Sequence, residues 1–350
     1  MTVFIFVLII LAYFVEKWSL EYALRGVVFH YQPSLVLAAP DEKFAILSSL
    51  SNHSLRFIPF IRVEEYLPFG LVVYDQAMQS AASPSEYSKL SYSTYMMPYA
   101  GFQRSVTASI PERGRYIFPG AHLSGGDFLG LNEERQRVSL FAEVVIYPRE
   151  SDSRRLEDVM GGFIGDFLVR RFIMEDPVLT AGFRAYTGRE PMKAISWMQS
   201  ARMAEIMVKQ YDYTTEASAT VLLNVECEEE GKEQRIETCY RLTRSVCRIL
   251  EERRIQYDFY TNATTSGAIA DWAYIGEGLG EKHYFTIMEG LGRASYRFTE
   301  SFSAMVKRMK TRGAKALIII TPTDREQIMA RLNRENAMQL LILPAEEAVL

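Results

Sequence analysis

The stretch "ATVLLNVECEEEG", residues 219–231, joins an apolar run to a dense group of polar side chains. Its first half has the length and composition of a buried strand. One amide and four carboxylates follow it, at Asn224, Glu226, Glu228, Glu229 and Glu230. The loop after the carboxyl end of a strand is where open α/β sheets bind ligands. The stretch therefore predicts an α/β fold and marks a candidate oxygen-ligand site for a divalent metal ion.

Strand and helix patterns alternate on the C-terminal side of this stretch. In "RIETCYRLTRSVCRILEERR", residues 235–254, a buried face is predicted by the helical spacing of Ile236, Cys239, Thr243, Val246 and Leu250. "ALIIITP", residues 316–322, is a near-continuous apolar run of the kind buried on both faces of a parallel sheet. This alternation predicts a Rossmann-type α/β domain with a mostly parallel sheet over residues 217–350.

The preceding sequence has a different character. Short segments rich in aromatic and β-branched residues, such as "FAILSSL" and "SLFAEVVIYP", recur over residues 26–150 and are separated by turn residues. About seven strands at this spacing predict an antiparallel, immunoglobulin-like β-sandwich. Residues 151–216, which include the glycine-rich "GGFIGDF", are predicted to form a connector. The chain is thus expected to be multidomain.

The N-terminal segment is strongly apolar. Residues 2–15 contain no charged side chain and would span about 21 Å as a helix, against the ~30 Å hydrocarbon core of a membrane. Trp18 is an aromatic residue of the interfacial type, and the basic residues Lys17 and Arg25 follow the run. Residues 1–25 are therefore predicted to form a single-pass anchor helix in membrane lipid, with the bulk of the chain in the cytoplasm. The alternative is a core helix at the start of a globular domain.

Composition and charge exclude some classes of function. A net charge of −4 and a pI near 5.8 argue against nucleic-acid binding, because phosphate recognition needs a basic face. The three cysteines form no CxxC pair, which favours reduced thiols over a disulfide or zinc site. "YIGEGLGEKH" lacks the glycine spacing of a dinucleotide loop, and no serine lies in a nucleophile elbow. The sequence predicts a non-enzymatic protein and does not indicate an oligomeric state.

One segment carries a family resemblance. In "YTGREPMKAISWMQSARMAEIMVKQYD", the pattern resembles the bacterial family catalogued as domain of unknown function fifty-eight. The residues that match it are Gly188, Glu190, Pro191, Ile195, Trp197, Ser200, Ala201 and Arg202. "RGRYIFPGAHLSGGDFLGL" is similar to a hairpin of the same family. The resemblance implies a membrane-anchored β-sandwich followed by a degenerate von Willebrand factor A-like domain. It also implies a non-enzymatic scaffold that works with a MoxR-type AAA ATPase in assembly or maturation of envelope or surface proteins.

The physical role expected for this signature is structural. Trp197 would bury a large surface where the connector meets the α/β domain, and Arg202 could pair with Glu190 or with strand-end carbonyls. The alternative is a partner-binding surface, because a large aromatic residue beside an Arg also recurs in interface hot spots.

The resemblance also bears on the polar loop. A von Willebrand A-type metal site would use oxygen ligands from three loops. Here the degenerate candidate set is Asn224, Glu226, Glu228, Thr264 and Asp324, with Thr265 as a substitute for Thr264. Amide and long carboxylate side chains replace the usual short acid and hydroxyls, so no cofactor is predicted beyond weak Mg²⁺ or Mn²⁺ binding. The alternative function is divalent-metal-dependent adhesion through this loop. The loop could also be a solvated acidic turn without a binding function.

Overall fold

The computed structural model describes residues 10, 13–14, 17, 23–74, 87–126, 132–151, 154–171, 180–188, 190–211, 218–228, 231–267, 272–309, 316–332 and 339–345. The chain divides into two compact units. Unit 1 comprises Met1–Arg149 with Leu291–Arg293, and unit 2 comprises Glu150–Gly290 with Ala294–Leu350.

Unit 1 is a sandwich of two sheets. Its strands are β1 (Val27–Pro33), β2 (Leu37–Ala38), β3 (Phe44–Asn52), β4 (Ile58–Pro68), β5 (Val72–Val73), β6 (Tyr87–Met96), β7 (Gly101–Ser109), β8 (Gly114–Gly126) and β9 (Glu133–Ile146). One sheet has the order β1-β3-β7-β5 and the other β2-β9-β8-β4-β6. All pairs are antiparallel except β2 with β9. The predicted β-sandwich is confirmed, with its strands lying between Val27 and Ile146.

Alternation along the strands builds the core of unit 1. In β3, the side chains of Phe44, Ile46 and Leu50 are buried while Leu47 on the opposite face is half exposed. A chain reversal after β4 uses Gly70, whose φ of 82° lies in the left-handed region that favours glycine. The core positions from both sheets form one buried apolar cluster that includes Ile61, Val106, Phe118 and Leu123.

Unit 2 contains the remaining elements. Its strands are β10 (Thr180–Ala185), β11 (Met207–Tyr211), β12 (Ser218–Leu223), β13 (Gln256–Thr261), β14 (Ala263–Thr265), β15 (Tyr274–Gly278), β16 (Ala294–Phe298), β17 (Ala316–Thr321) and β18 (Gln339–Pro344). The helices, of which α4 ends in Leu291–Arg293 of unit 1, are α1 (Arg154–Arg171), α2 (Trp197–Met203), α3 (Lys232–Glu252), α4 (Glu281–Arg293), α5 (Phe302–Arg308) and α6 (Arg325–Arg331). A 3₁₀ turn covers Met192–Ala194.

A five-stranded sheet of order β15-β13-β12-β17-β18 forms the centre of unit 2. β12 runs parallel to β13 and β17, β17 runs parallel to β18, and the edge strand β15 is antiparallel. Every residue of β12 and β17 is buried, as expected for strands covered on both faces. The face predicted for residues 235–254 is buried in α3, from Ile236 to Leu250. Two antiparallel pairs, β10 with β11 and β14 with β16, lie outside this sheet.

The predicted fold class needs correction on two points. No helix within the described ranges is long and apolar enough to cross a membrane, so the anchor helix and the single-pass membrane location are not upheld. Most of residues 1–25, including Trp18, lies outside the described residues. The physical reason is length, because the apolar run of residues 2–15 would be shorter as a helix than the hydrocarbon core of a membrane.

The second correction concerns the von Willebrand A-like, Rossmann-type domain. A doubly wound domain covers its parallel sheet with long crossover helices. In unit 2 the helices α5 and α6, which lie nearest in sequence to β17 and β18, have only seven residues each, and the sheet carries an antiparallel edge. Among the described residues more lie in strands than in helices, and the domain type inferred from the resemblance is wrong.

Candidate functional site

The carboxyl ends of three neighbouring strands meet in unit 2. Leu223 of β12 is paired with Thr261 of β13 and with Ile320 of β17. The residues that follow in each strand are Asn224, Asn262 and Thr321, and all three are fully buried. The parallel register therefore brings two amides and a hydroxyl together at one edge of the sheet.

These three side chains satisfy one another. Asn262 Nδ2 donates to Asn224 Oδ1 over 2.8 Å, and Asn224 Nδ2 donates to Thr321 Oγ1 over 3.2 Å. Asn262 Oδ1 accepts from the backbone N–H of Val225 at 2.8 Å, and Asn224 Oδ1 accepts from that of Glu226 at 3.1 Å. Thr321 also contacts the Thr323 hydroxyl at 3.1 Å. We call Asn224, Asn262 and Thr321 the strand-end network. It uses buried polar groups to hold the strand ends and the loop after β12, since leaving such groups unpaired is costly.

Glu226 is engaged at both carboxylate oxygens. Its Oε2 accepts from the backbone N–H of Phe302, the first residue of α5, at 2.6 Å. Its Oε1 accepts from Arg331 Nη1 of α6 at 3.2 Å. A carboxylate at a helix N-terminus and beside a guanidinium is electrostatically favourable. The loop after β12 is thereby tied to α5 and α6.

The other predicted metal ligands do not join this cluster. Glu228 and Asp324 are exposed, and Thr264 is half buried in β14. Glu229 and Glu230 lie outside the described residues. Across the part of the chain that the structure describes, no three His, Cys, Asp or Glu side chains come together as a group that could hold a metal ion. The Asn224 and Glu226 oxygens that would ligate the ion already accept hydrogen bonds, so the residues present do not fit a von Willebrand A-type metal site.

Sequence reasoning missed Asn262 and Thr321 as members of this site. The available signal was that two predicted strands end alike, in "LLN" and in "YTN". Two amides at strand ends can pair only if their strands are neighbours in the sheet. The sequence does not give the order of the strands.

The family signature forms a small substructure around α2. Ile195 is buried and bridges to Val208 of β11. The backbone N–H of Ser196 donates to Met207 O at 2.8 Å, and the N–H of Met207 donates to Ser200 Oγ at 2.8 Å. Ser200 Oγ in turn donates to Ser196 O at 2.9 Å. Polar and backbone contacts thus attach α2 to β11.

Glu190, one of the two pairing partners expected for Arg202, pairs with a different arginine. Glu190 forms its ion pair with Arg184 of β10, at 2.5 Å, and accepts from Thr187 Oγ1 at 2.7 Å. The Thr187 hydroxyl, followed by the Arg184 guanidinium, lowers the pKa of Glu190 to about 2. Arg202 is exposed on α2. Glu190 therefore stabilises the turn after β10, and Gly188, with φ of 87°, lies in that turn.

The expected burial of Trp197 is also wrong. Its side chain is 65% exposed, and none of the seven described side chains of α2 is buried. The helix begins after the extended Ser196 and ends at Ala204, whose φ of 53° breaks the helical conformation. The helix has only seven residues and is attached to β11 through Ser196, Ser200 and Met207, and Trp197 lies outside these contacts. Pro191 and Ala201, the remaining signature residues, are exposed as well.

A second polar group lies inside the sandwich of unit 1. Glu65 of β4 is fully buried, with Leu90 and Ala121 opposite it on the two neighbouring strands. Burial raises the pKa of Glu65, and this outweighs the lowering by the Ser48 hydroxyl and by the charge of Arg104. Ser48 and Arg104 are cross-strand partners on the opposing sheet. The carboxyl group is therefore biased towards its protonated form.

The three cysteine thiols lie in the interior of unit 2. Cys227, Cys239 and Cys247 are free and buried. Burial raises the pKa of Cys239 and of Cys247, which keeps both as neutral thiols. Buried free cysteines generally pack as small apolar side chains.

Comparison with known proteins gives distant structural likenesses. Neither a protein-family model nor a sequence among characterised proteins matches the chain. Among solved structures, it is similar to a CARDB domain from Pyrococcus furiosus in complex with metal ions (8% identity, 34% of this chain and 86% of that chain, TM-score 0.24). It is also similar to a type I cohesin–dockerin complex from Clostridium thermocellum (14%, 34% and 99%, TM-score 0.25) and to a non-cellulosomal cohesin from Archaeoglobus fulgidus (12%, 34% and 90%, TM-score 0.24). Each likeness covers about a third of this chain and carries no functional assignment.

Proposed function

We propose that this chain is a non-enzymatic interaction protein related to the family that its signature resembles, and that it works with a MoxR-type AAA ATPase in assembly or maturation of envelope or surface proteins. The observation that carries the proposal is the strand-end network. Its amides and hydroxyl are committed to one another at the sheet edge where an α/β enzyme keeps its reactive groups. The described residues that follow these strand ends include the exposed acidic side chains of Glu228 and Asp324.

The proposed contact for the ATPase is the acidic rim, which we define as Glu228 and Asp324. Both side chains are exposed and follow strands whose ends are fixed by the network. Acidic residues at an interface act mainly on association rate and specificity, so added salt should weaken the complex. Glu226 is not part of this contact surface, because its carboxylate holds the N–H of Phe302 and the side chain of Arg331.

The test is a binding measurement between the full chain and a purified MoxR-type ATPase. The rim variant is Glu228→Lys with Asp324→Lys. The matched control is Asp158→Lys with Asp166→Lys, which makes the same charge change on exposed positions of α1 in the same unit. Glu226 stays unchanged in both proteins, so that a loss of binding cannot arise from the broken contacts to α5 and α6.

We expect the rim variant to bind at least about tenfold more weakly, a difference of ~1.4 kcal/mol, and the control to bind as wild type does. Circular dichroism establishes that both variants are folded. Equal binding by the rim variant would remove the rim from the proposal. A wild-type chain that does not bind the ATPase at low salt would remove the partner.

A further inference from the structure

Five polar side chains meet in the otherwise apolar core of unit 1. We define the core polar cluster as Tyr31, Ser48, Arg104, Glu65 and Tyr92. In the first sheet, Tyr31 of β1 is opposite Ser48 of β3, and Ser48 is opposite Arg104 of β7, so these three residues form one row. Glu65 of β4 and Tyr92 of β6 belong to the second sheet. The cluster therefore draws polar groups from both layers of the sandwich.

The two halves of the cluster are in contact across the core. The guanidinium carbon of Arg104 lies 4.6 Å from the centroid of the Tyr92 ring. Tyr31 also reaches the second sheet, with its ring centroid 5.7 Å from that of Phe118 in β8. These contacts place the polar ends of the side chains between the two sheets.

The carboxyl group of Glu65 lies at the centre of the cluster. Burial, followed by the charge of Glu65, raises the pKa of Tyr31 and of Tyr92. The Ser48 hydroxyl and the charge of Arg104 lower the pKa of Glu65 against the larger effect of burial. Each of these four side chains thus lies close enough to the carboxyl group to interact with it electrostatically.

Five polar atoms of the cluster have no hydrogen-bond partner within the described residues. They are both carboxyl oxygens of Glu65, the hydroxyl oxygens of Tyr31 and Tyr92, and Ser48 Oγ, and all of them are buried. Nearly all buried polar atoms in native proteins are paired, with the protein or with ordered water, because an unpaired one is costly. Five such atoms on four neighbouring side chains point to a ligand bound between them.

The side chains around the Glu65 carboxyl group are small. Its partner on β8 is Ala121, and the facing position on β3 is Ser48, whereas the core positions on either side of Ser48 are Ile46 and Leu50. The short Ser48 side chain frees volume in a row of large residues, and a water molecule takes up only about 30 Å³ in the liquid. The ligand that this site fits is small and polar.

We propose that the core polar cluster binds ordered water inside the sandwich, with at least one molecule bridging Glu65 to the hydroxyl groups of Ser48, Tyr31 and Tyr92. A buried water molecule makes about three hydrogen bonds, and a hydroxyl group can donate or accept as the water requires. The bound water joins a row of the first sheet to a carboxyl group of the second. This inference is independent of the proposed ATPase partner and concerns a different unit of the chain.

A metal cation is a poorer occupant of the site. Carboxylate and hydroxyl oxygens suit a hard cation. Arg104, however, brings a positive charge to the same place, and two like charges repel strongly in an interior of low dielectric constant. Glu65 is also the only carboxylate of the cluster, and the described part of the chain holds no group of three His, Cys, Asp or Glu side chains suited to a metal.

The experiment counts long-lived internal water in the full chain by oxygen-17 magnetic relaxation dispersion. A chain of this length holds on the order of ten buried water molecules, so the result is the difference between wild type and each variant. The filled variant, Ser48→Val with Glu65→Leu, occupies the space and removes three of the five polar atoms. The matched control is Ser109→Ala, at a buried hydroxyl of β7 that is paired with the Tyr74 hydroxyl at 3.0 Å.

We expect wild type to hold at least one long-lived water molecule more than the filled variant, and the control to equal wild type. Tyr31→Phe and Tyr92→Phe each remove a single hydroxyl group, so they test the site even if the filled variant does not fold. Each should lose the water or shorten its residence time, because one of its hydrogen bonds is missing. Each should also lower the urea midpoint, whereas removing an unpaired hydroxyl would leave the midpoint unchanged or raise it.

Three results would overturn the assignment. The first is a relaxation dispersion that neither the filled variant nor the two Phe variants change, which would mean that the polar groups bond directly to one another. The second is a urea midpoint at or above that of wild type in both Phe variants. The third is a stoichiometric cation, found by elemental analysis of the desalted wild type and missing from the filled variant.

Discussion

Removing the Asn224 side chain should destabilise unit 2 by roughly 3 kcal/mol. The Asn224→Ala substitution deletes three hydrogen bonds, to Asn262, Thr321 and the backbone N–H of Glu226. Neutral hydrogen bonds contribute about 1 kcal/mol each to the net free energy of unfolding. Asn262 Nδ2 still donates to the carbonyl of Glu300 at 3.1 Å, so the amide of Asn262 is not left unpaired by the substitution. The backbone N–H of Glu226 loses its acceptor, and this unpaired donor adds to the loss of unfolding free energy.

Urea unfolding followed by tryptophan fluorescence is the appropriate assay. Trp272 is buried in unit 2 with its ring centroid 5.3 Å from that of Phe259, so its emission reports the packing of this unit. The matched control is Thr265→Ala, a half-buried hydroxyl on β14, whose loss should stay within about 0.5 kcal/mol. A loss below about 1 kcal/mol for Asn224→Ala, at an unchanged dependence on urea, would refute the reasoning that the network holds the strand ends.

Three further outcomes are expected. Trp197→Ala should change the free energy of unfolding by no more than about 0.5 kcal/mol, because the side chain is 65% exposed, and a loss above about 2 kcal/mol would show that it is packed. Glu65→Gln should stabilise the protein at neutral pH and make no difference well below pH 4.5. The raised pKa means that the folded state retains a proton that the unfolded state has lost, so wild-type stability falls as pH rises above 4.5 through the folded pKa; parallel urea curves for both proteins at all pH values would contradict this. Calorimetry with Mg²⁺ or Mn²⁺ should show no binding tighter than about millimolar, and a micromolar isotherm abolished by Glu226→Ala would disprove it.

Local patterns located many individual elements. The helical spacing of Ile236, Cys239 and Val246 marked the buried face of α3, and the run "ALIIITP" marked β17. Alternation of aromatic and β-branched residues was sufficient for the sandwich of unit 1. These features depend on neighbours in sequence, whose spacing is fixed by the geometry of a helix or a strand.

The domain type and the site were less accessible. The resemblance suggested a von Willebrand A-like domain, but the length of helices such as α5 and α6 depends on tertiary packing. Glu226 was predicted as a metal ligand from its place after a strand. Its actual hydrogen-bond donors, Phe302 and Arg331, lie 76 and 105 residues further along the chain, so the local sequence does not reveal them. Trp197 was predicted to be buried because large aromatic residues usually are. It is exposed because it lies on a helix of two turns that has no buried side chains.

The composition of the strand-end network has a consequence for how the protein responds to its surroundings. Amides and a threonine hydroxyl neither gain nor lose a proton at any acidity a cell experiences. The junction of β12, β13 and β17 should thus hold equally well in acidic and neutral compartments, and its hydrogen bonds need no metal ion. The sandwich contains a buried carboxyl group instead, at Glu65. Acidification should therefore stabilise unit 1 through Glu65 and leave the strand-end network of unit 2 unchanged. The two units of one chain would then differ in how their stability depends on pH.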